Sequence, residues 1–408
     1  MLKTINRGYK FKIIPTREQK EFFLKTFGCA RKLYNLYVSD LYEYLKETNY
    51  ENGYIDKKKI NISSYTKYTK IYEYLSKVDS KALCNEKINF ENSIKKFNSE
   101  HDKKTYTKRS IKRKNTLGIK PTFEDLKGMP KFKSIKNNDF SYKTNNYADR
   151  KGNWKTITLL DNQLKLPKLK TTVKVKQHRP LPKDCIIKNC TISMDNKGIF
   201  YASLCVEYTI NVEPKVIDKN KIIGLDYSQK DFYYSSDNKI ANYPHYYGKS
   251  EDKLIKLQRN LSRKQSKSNN WRKQKQKITN LHKHIANQRL DWIHKESRKL
   301  ADNYDVVILE DIDLRNMAQC LKLGRNLHDN GFGMFRTFLK YKLEEQGKQF
   351  IKIDKWFPSS KTCNRCGAIK ENLLLSDRWF VCECGYENDR DYNASLNIKD
   401  CGTRLIAW

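Results

Sequence analysis

Ile222-Ile223-Gly224-Leu225-Asp226 and Val306-Val307-Ile308-Leu309-Glu310 are two short apolar runs that each end in a carboxylate. Their length and β-branched content read as strands. A third acid, Asp391, stands in Asp389-Arg390-Asp391-Tyr392-Asn393-Ala394, a stretch that reads as a helix start with Asp389 available as the side-chain cap. Open α/β sheets build their sites at strand ends. Asp226, Glu310 and Asp391, brought together, supply hard oxygen ligands for two Mg²⁺ ions. Such a pair stabilises the attacking and leaving oxygens of an in-line phosphoryl displacement. Asp311 and Asp313 follow Glu310 but leave the strand, so they read as caps for what comes next.

The remainder of the chain is basic. Its 408 residues carry 82 Lys and Arg against 46 Asp and Glu, a formal net charge of +36. A surface that positive repels itself unless a polyanion covers it, and neutralising phosphates releases condensed counterions. Nucleic acid is the expected partner. The length exceeds what one hydrophobic core holds, so two or more domains are expected in a multidomain α/β protein. No run of 18 apolar residues is present and no secretory signal opens the chain, which sets the expectation of a cytoplasmic protein in a reducing compartment, with no membrane association.

Residues 8–14 alternate apolar and basic side chains up to Pro15, as a strand does, and Thr16 is placed to cap a helix beginning at Arg17. Helical spacing continues to about residue 100, with Phe90, Ile94 and Phe97 on one stripe, and the aromatic residues there read mostly as core. Residues 103–136 hold 12 Lys and Arg against 2 acids. Alternating runs at 156–159, 163–166, 172–175 and 190–193, with a turn at Asp195-Asn196-Lys197-Gly198, predict a β-rich unit. The strand at 8–14 fits that unit if the helices are inserted into it. After a boundary near 210–220, strands are expected at 222–227, 231–235, 306–310 and 349–354, and a helix at 334–346. Residues 251–300, with 15 Lys and Arg against 4 acids, read as a basic helical hairpin hinged at Ser266–Asn270.

Of 11 cysteines, Cys29, Cys84, Cys185, Cys190, Cys205, Cys320 and Cys401 are scattered and read as ordinary core or surface residues. Cys363-x2-Cys366-Gly367 and Cys382-x-Cys384-Gly385 form a cluster. Four thiolates on two knuckles suit a structural, tetrahedral Zn²⁺. The second knuckle is one residue shorter than the first.

Several stretches resemble TnpB (OrfB), the transposon-encoded RNA-guided nuclease family related to type V CRISPR effectors. They are Tyr9-Lys10-Phe11-Lys12-Ile13-Ile14-Pro15-Thr16, Gly28-Cys29-Ala30-Arg31-Lys32-Leu33-Tyr34-Asn35, Pro130-Lys131-Phe132-Lys133-Ser134, Leu261-Ser262-Arg263-Lys264, Ala286-Asn287-Gln288-Arg289, Phe357-Pro358-Ser359-Ser360-Lys361-Thr362-Cys363 and the Asp389–Ala394 motif. The resemblance implies a β-barrel wedge domain interrupted by a helical recognition lobe, followed by a RuvC-like (RNase H fold) nuclease domain with an inserted zinc ribbon. On this chain the expected parts are the first wedge strand (1–15), the helical lobe (16–125), the wedge barrel (126–217) and the nuclease domain (218–408), with the basic hairpin at 251–300 and the ribbon at 358–388. It also implies a guide RNA from the transposon end, a double-stranded DNA target beside a short motif, and a monomer. The catalytic acids carried over are Asp226, Glu310 and Asp391, and the zinc ligands Cys363, Cys366, Cys382 and Cys384. One departure is Gly224-Leu225-Asp226-Tyr227-Ser228, where the family commonly has a second glycine after the acid.

Three rivals follow from the same residues: a non-cutting RNA-guided regulator, a strand-joining transposase and a compact type V CRISPR effector. Intact acids disfavour the first.

Overall fold

The computed structural model describes residues 2–50, 54–56, 58–60, 64–99, 105–135, 140–148, 152, 154, 156–314, 317, 329–374 and 377–406. Cys320 and parts of the basic run 103–136 lie outside these. The chain divides into two compact units, Thr4–Thr209 and Ile210–Trp408, the latter joined by Met1–Lys3.

In the first unit, β1 (Leu2–Ile14) begins earlier than the alternation from residue 8 predicts, and it buries Tyr9, Phe11 and Ile13 with lysines between them. The helix α1 (Arg17–Glu47) starts at a capping box in which Thr16 and Gln19 satisfy each other's backbone N–H groups. Short α2 (Tyr65–Ile71), α3 (Ser80–Ser99) and the basic α4 (Lys108–Leu117) follow. Leu33, Tyr37, Leu41, Phe90 and Ile94 form the helical core, so these aromatics are structural.

The strands β2 (Ser141–Asn145), β3 (Thr158–Leu160), β4 (Gln163–Lys165), β5 (Val173–Lys176), β6 (Ile186–Met194) and β7 (Phe200–Asn211) join β1 in one sheet, ordered β2-β6-β7-β1-β5-β4-β3. The helices are thus an insertion between two strands of one sheet. Buried Asn146 ties the two edges of that sheet together. Its Nδ2 donates to the carbonyls of Ile157 (3.0 Å) and Ile187 (2.7 Å), and its Oδ1 accepts from the N–H of Ile157 (2.9 Å).

The second unit is built on a five-stranded sheet. Its strands are β8 (Ile222–Ser228), β9 (Phe232–Ser235), β10 (Lys239–Ile240), β11 (Val306–Glu310) and β12 (Gln349–Ile353), ordered β10-β9-β8-β11-β12. β8, β11 and β12 run parallel, and β9 returns antiparallel to β8. Their near-continuous apolar runs suit a sheet covered on both faces. One face meets α6 (Asn269–Asn303) and α7 (Phe332–Glu345) through Ile223, Leu225, Val307 and Leu309 against Ile293, Leu300, Phe335 and Leu339. The other meets α8 (Arg390–Thr403) through Ile222, Val306, Ile308 and Ile353 against Ile398. The basic hairpin is α5 (Tyr246–Ser262) packed on the first part of α6 by Leu254, Leu281 and Ile285. A two-stranded ribbon, β13 (Trp379–Val381) and β14 (Glu387–Asp389), precedes α8. Among the described residues no helix is long and apolar enough to cross a membrane.

Candidate metal centres

Strand periodicity places the first two acids. Successive side chains of a strand alternate faces. Ile223 and Leu225 point to α6 and α7, so Ile222, Gly224 and Asp226 share the opposite face. The same parity in β11 puts Val306, Ile308 and Glu310 on that face. The register pairs Leu225 with Leu309, so Asp226 and Glu310 are the next residues on adjacent parallel strands.

The third acid arrives with α8. Asp389 caps that helix, its Oδ1 accepting from the N–H groups of Asp391 (3.0 Å) and Tyr392 (2.9 Å), which leaves the Asp391 carboxylate for other work. The helix then lies directly on the two acid-bearing strands. A Cβ added at Gly224 would stand 2.6 Å from the backbone N of Lys399, and one added at Gly402 would stand 2.9 Å from Ile308 Cδ1. One glycine on the strand and one on the helix therefore permit the approach that delivers Asp391 to Asp226.

The electrostatics show the crowding. Burial pushes the Asp226 carboxyl well above the usual carboxylate range, and the neighbouring charges of Glu310 and Asp391 raise it further, while Arg390 opposes them. Burial also raises Glu310, opposed by a hydrogen bond from Ser359 Oγ to its Oε1. Tyr234, the cross-strand partner of Asp226, is pushed up to about 12 by burial and by Asp231, with Asp389 and Asp391 adding to it. Asp391 Oδ1 accepts from Arg390 Nε (3.1 Å) and Nη2 (3.0 Å), and Arg378 Nη1 lies 3.9 Å from its Oδ2. Three hard-oxygen donors with mutual repulsion fit a divalent cation, which would relieve that repulsion. The neighbouring Asp311 points away from this trio and pairs with Lys352 (2.8 Å) and Arg336 (3.5 Å).

The four clustered cysteines gather more tightly. All four sulfurs lie within 4.8 Å of one another, and among the described residues no other group of three or more His, Cys, Asp or Glu side chains gathers in this way. Cys363 and Cys384 sulfurs are 3.7 Å apart, those of Cys366 and Cys382 3.6 Å. Tetrahedral ligands at about 2.3 Å from zinc stand about 3.8 Å apart, so the set fits Zn²⁺. The short second knuckle closes by Gly385 N–H to Cys382 O (3.0 Å), with Gly385 at φ 78°. Burial raises the Cys363 thiol, but backbone N–H groups of Cys366 and Arg365 outweigh it and bring it to about 7. Burial pushes Cys384 up to about 12. Of the other described cysteines, Cys29 and Cys190 are buried, and Cys84, Cys185, Cys205 and Cys401 partly so.

Sequence reasoning missed Ser359, Arg390, Asn393 and Asn397, all polar groups packed between the acids and the cysteines. Arg390 and Asn393 stand within the quoted Asp389–Ala394 motif and Ser359 within the quoted Phe357–Cys363 stretch, which are the available signals.

The fold and these two centres define a multidomain α/β protein with three acids on one sheet face and a Cys₄ ribbon leading into the third acid. Family models agree along the chain. The OrfB model of IS605-type elements, described as "Probable transposase", matches residues 203–321, its companion "Helix-turn-helix domain" matches 1–49, and "Cas12f1-like, TNB domain" matches 332–398. The chain is thus similar to the OrfB family of IS605-type elements over residues 1–49 and 203–321, and to Cas12f1-like proteins over 332–398. Within the match at 1–49, the described residues form a strand (Leu2–Ile14) followed by one long helix (Arg17–Glu47) rather than two helices.

A "Putative RNA-guided DNA endonuclease" of Streptomyces pristinaespiralis is 29% identical over 414 residues, covering 100% of this chain and 92% of that protein. "Putative RNA-guided DNA endonuclease InsQ" of Escherichia coli K12 is 30% identical over 238 residues, covering 54% of this chain and 58% of that one. A Cas12f1 protein, solved with sgRNA and target DNA, superposes with a TM-score of 0.52 at 15% identity, covering 95% of this chain and 83% of that one. That last likeness concerns the fold.

Proposed function

We propose that this chain is an RNA-guided DNA endonuclease that cuts at the Asp226–Glu310–Asp391 face. In this reading the second unit is a RuvC-like nuclease domain, and the sheet and inserted helices of the first unit are the wedge and recognition parts. The observation that carries it is the delivery of three acids, from two parallel strands and a glycine-seated helix, to one face of one sheet. Asp226, Glu310 and Asp391 would hold Mg²⁺, and the four cysteines Zn²⁺. Bound there, the pair of Mg²⁺ ions supplies charge neutralisation for an in-line displacement at phosphorus. The chain's own residues fix the geometry: β8 and β11 hold their carboxylates side by side, and the Asp389 cap orients Asp391. Guide–target pairing supplies sequence specificity, while the protein reads backbone shape and a short adjacent motif. The basic hairpin of α5 and α6, and the run 103–136, would bind phosphates of the guide RNA and heteroduplex.

The test separates binding from cutting. With co-purified RNA and a matching plasmid, Asp226→Ala should keep target binding and lose Mg²⁺-dependent cleavage; retained cleavage would refute the site. The family description as a transposase keeps a strand-joining reading in view. Strand-transfer products from the parent protein would favour it, and linear cut products alone exclude it.

A further inference from the structure

Glu310 and Asp391 are both held by the Cys₄ segment, at its opposite ends. At the entry, Ser359 donates its hydroxyl to Glu310. At the exit, β14 ends in Asp389, the cap that orients Asp391, and the Arg390 N–H donates to the Arg378 carbonyl (2.8 Å). Between these ends the first knuckle is docked on α8 by asparagines. Asn364, next to Cys363, donates its N–H to Asn393 Oδ1 (3.2 Å) and its Nδ2 to Asn397 Oδ1 (3.1 Å) and Asp400 Oδ2 (2.8 Å). In return, Asn393 Nδ2 donates to the Thr362 carbonyl (2.8 Å), and Asn397 Nδ2 to the carbonyls of Ser359 (2.8 Å) and Thr362 (2.6 Å).

Residues 393, 397 and 400 recur at i, i+4 and i+7, one face of α8. Asn393 is 0% exposed and Asn397 5%. Burying amides is costly compared with burying leucines, and it is tolerated only when every group is matched. Matched amides accept one register where an apolar contact could slide. The register here fixes Ser359, hence Glu310, relative to the helix that carries Asp391.

We propose that Asn364, Asn393, Asn397 and Ser359 are positioning residues that couple the Cys₄ centre to the carboxylate face, so that an intact Cys₄ centre sets the affinity of Glu310 and Asp391 for a divalent cation. The inference rests on the cation site of the preceding reading. Outer-shell partners of metal ligands typically change affinity by about 10–100-fold when lost.

The probe is Mn²⁺, followed by its electron paramagnetic resonance on the purified full-length protein, with zinc content measured alongside. Ser359→Ala and Asn397→Ala should keep their zinc yet bind Mn²⁺ about tenfold or more weakly. Cleavage should then need more Mn²⁺ but recover towards the parental rate at saturation. Stripping zinc from the parent should weaken Mn²⁺ binding in the same way. Parental Mn²⁺ affinity in folded Ser359→Ala, or in the zinc-stripped parent, overturns the coupling. Should Asn397→Ala fail to fold, Ser359→Ala decides, because it removes one hydroxyl only. Asp226→Ala separates the two claims: if it still cuts, the site reading falls, and if it is inactive while Ser359→Ala binds Mn²⁺ like the parent, only the coupling falls.

Discussion

The two candidate centres sit in one unit and are assembled in opposite ways. The four sulfurs come from two knuckles of one short ribbon, and each knuckle turns on its own glycine and backbone hydrogen bonds. The three carboxylates come from β8, β11 and α8, and nothing local brings them together. Two parallel strands in register and a helix seated through Gly224 and Gly402 do so. Burial raises the Asp226 carboxyl, the charges of Glu310 and Asp391 add to it, and Arg390 opposes them, while the Ser359 hydroxyl opposes the effect of burial on Glu310. A knuckle site is a property of its loop; a carboxylate site of this kind is a property of the whole sheet.

That contrast can be broken in several ways. The largest effect is expected from Cys384→Ser with Cys366→Ser: losing two of four ligands should take zinc content from about one per chain to near none. The ribbon should then become protease-sensitive while the five-stranded sheet keeps its far-UV dichroism. Loss of the sheet as well would make the two centres one folding unit. Next is Gly224→Ala. Its methyl group has only the α8 backbone to enter, so overpacking should cost about 1–3 kcal/mol in denaturant unfolding, and cleavage should fall although no acid has changed.

A smaller and opposite effect is expected from Asp226→Asn without divalent cations. The folded carboxyl holds its proton to higher pH than the unfolded one. Between those two values the folded state binds more protons, so parental stability should fall as pH rises. The substituted amide cannot titrate, and the variant should melt higher than the parent at pH 8, by about 2–4 °C for each 1 kcal/mol relieved, with a flatter pH dependence. An unchanged pH profile would show that neither burial nor the neighbouring acids raise the Asp226 carboxyl. The smallest effect belongs to Asp311→Asn. That acid follows Glu310 but pairs with Lys352 outside the trio. Cleavage should stay within about twofold and stability within about 1 kcal/mol, as for exposed ion pairs.

Much of this was legible in the chain. The runs ending in Asp226 and Glu310 are strands because they are short, apolar and β-branched, and Asp389 caps because it precedes a helical stretch. The hinge of the basic hairpin shows as polar residues between two apolar stripes. β2 escaped notice although Tyr142 and Thr144 are its buried positions, because five residues with a lysine and two polar flanks look like loop. Asn364 and Asn397 left no signal, since an amide has no spacing rule of its own, and Asn393 shows only as part of the Asp389–Ala394 motif.

The sequence by itself determined the identities of the longer strands and helices, the basic surface, the cysteine pairing into knuckles, and, through a period of two, that Asp226 shares a face with Gly224 and Glu310 with Ile308. These are local properties, set by side-chain shape and chain geometry over a few residues. Only the tertiary structure decided that those two faces are the same face, that α8 closes on it, and that buried amides fix the ribbon to the helix. Such facts depend on register between segments far apart along the chain, and that register is set by the packing of the whole core.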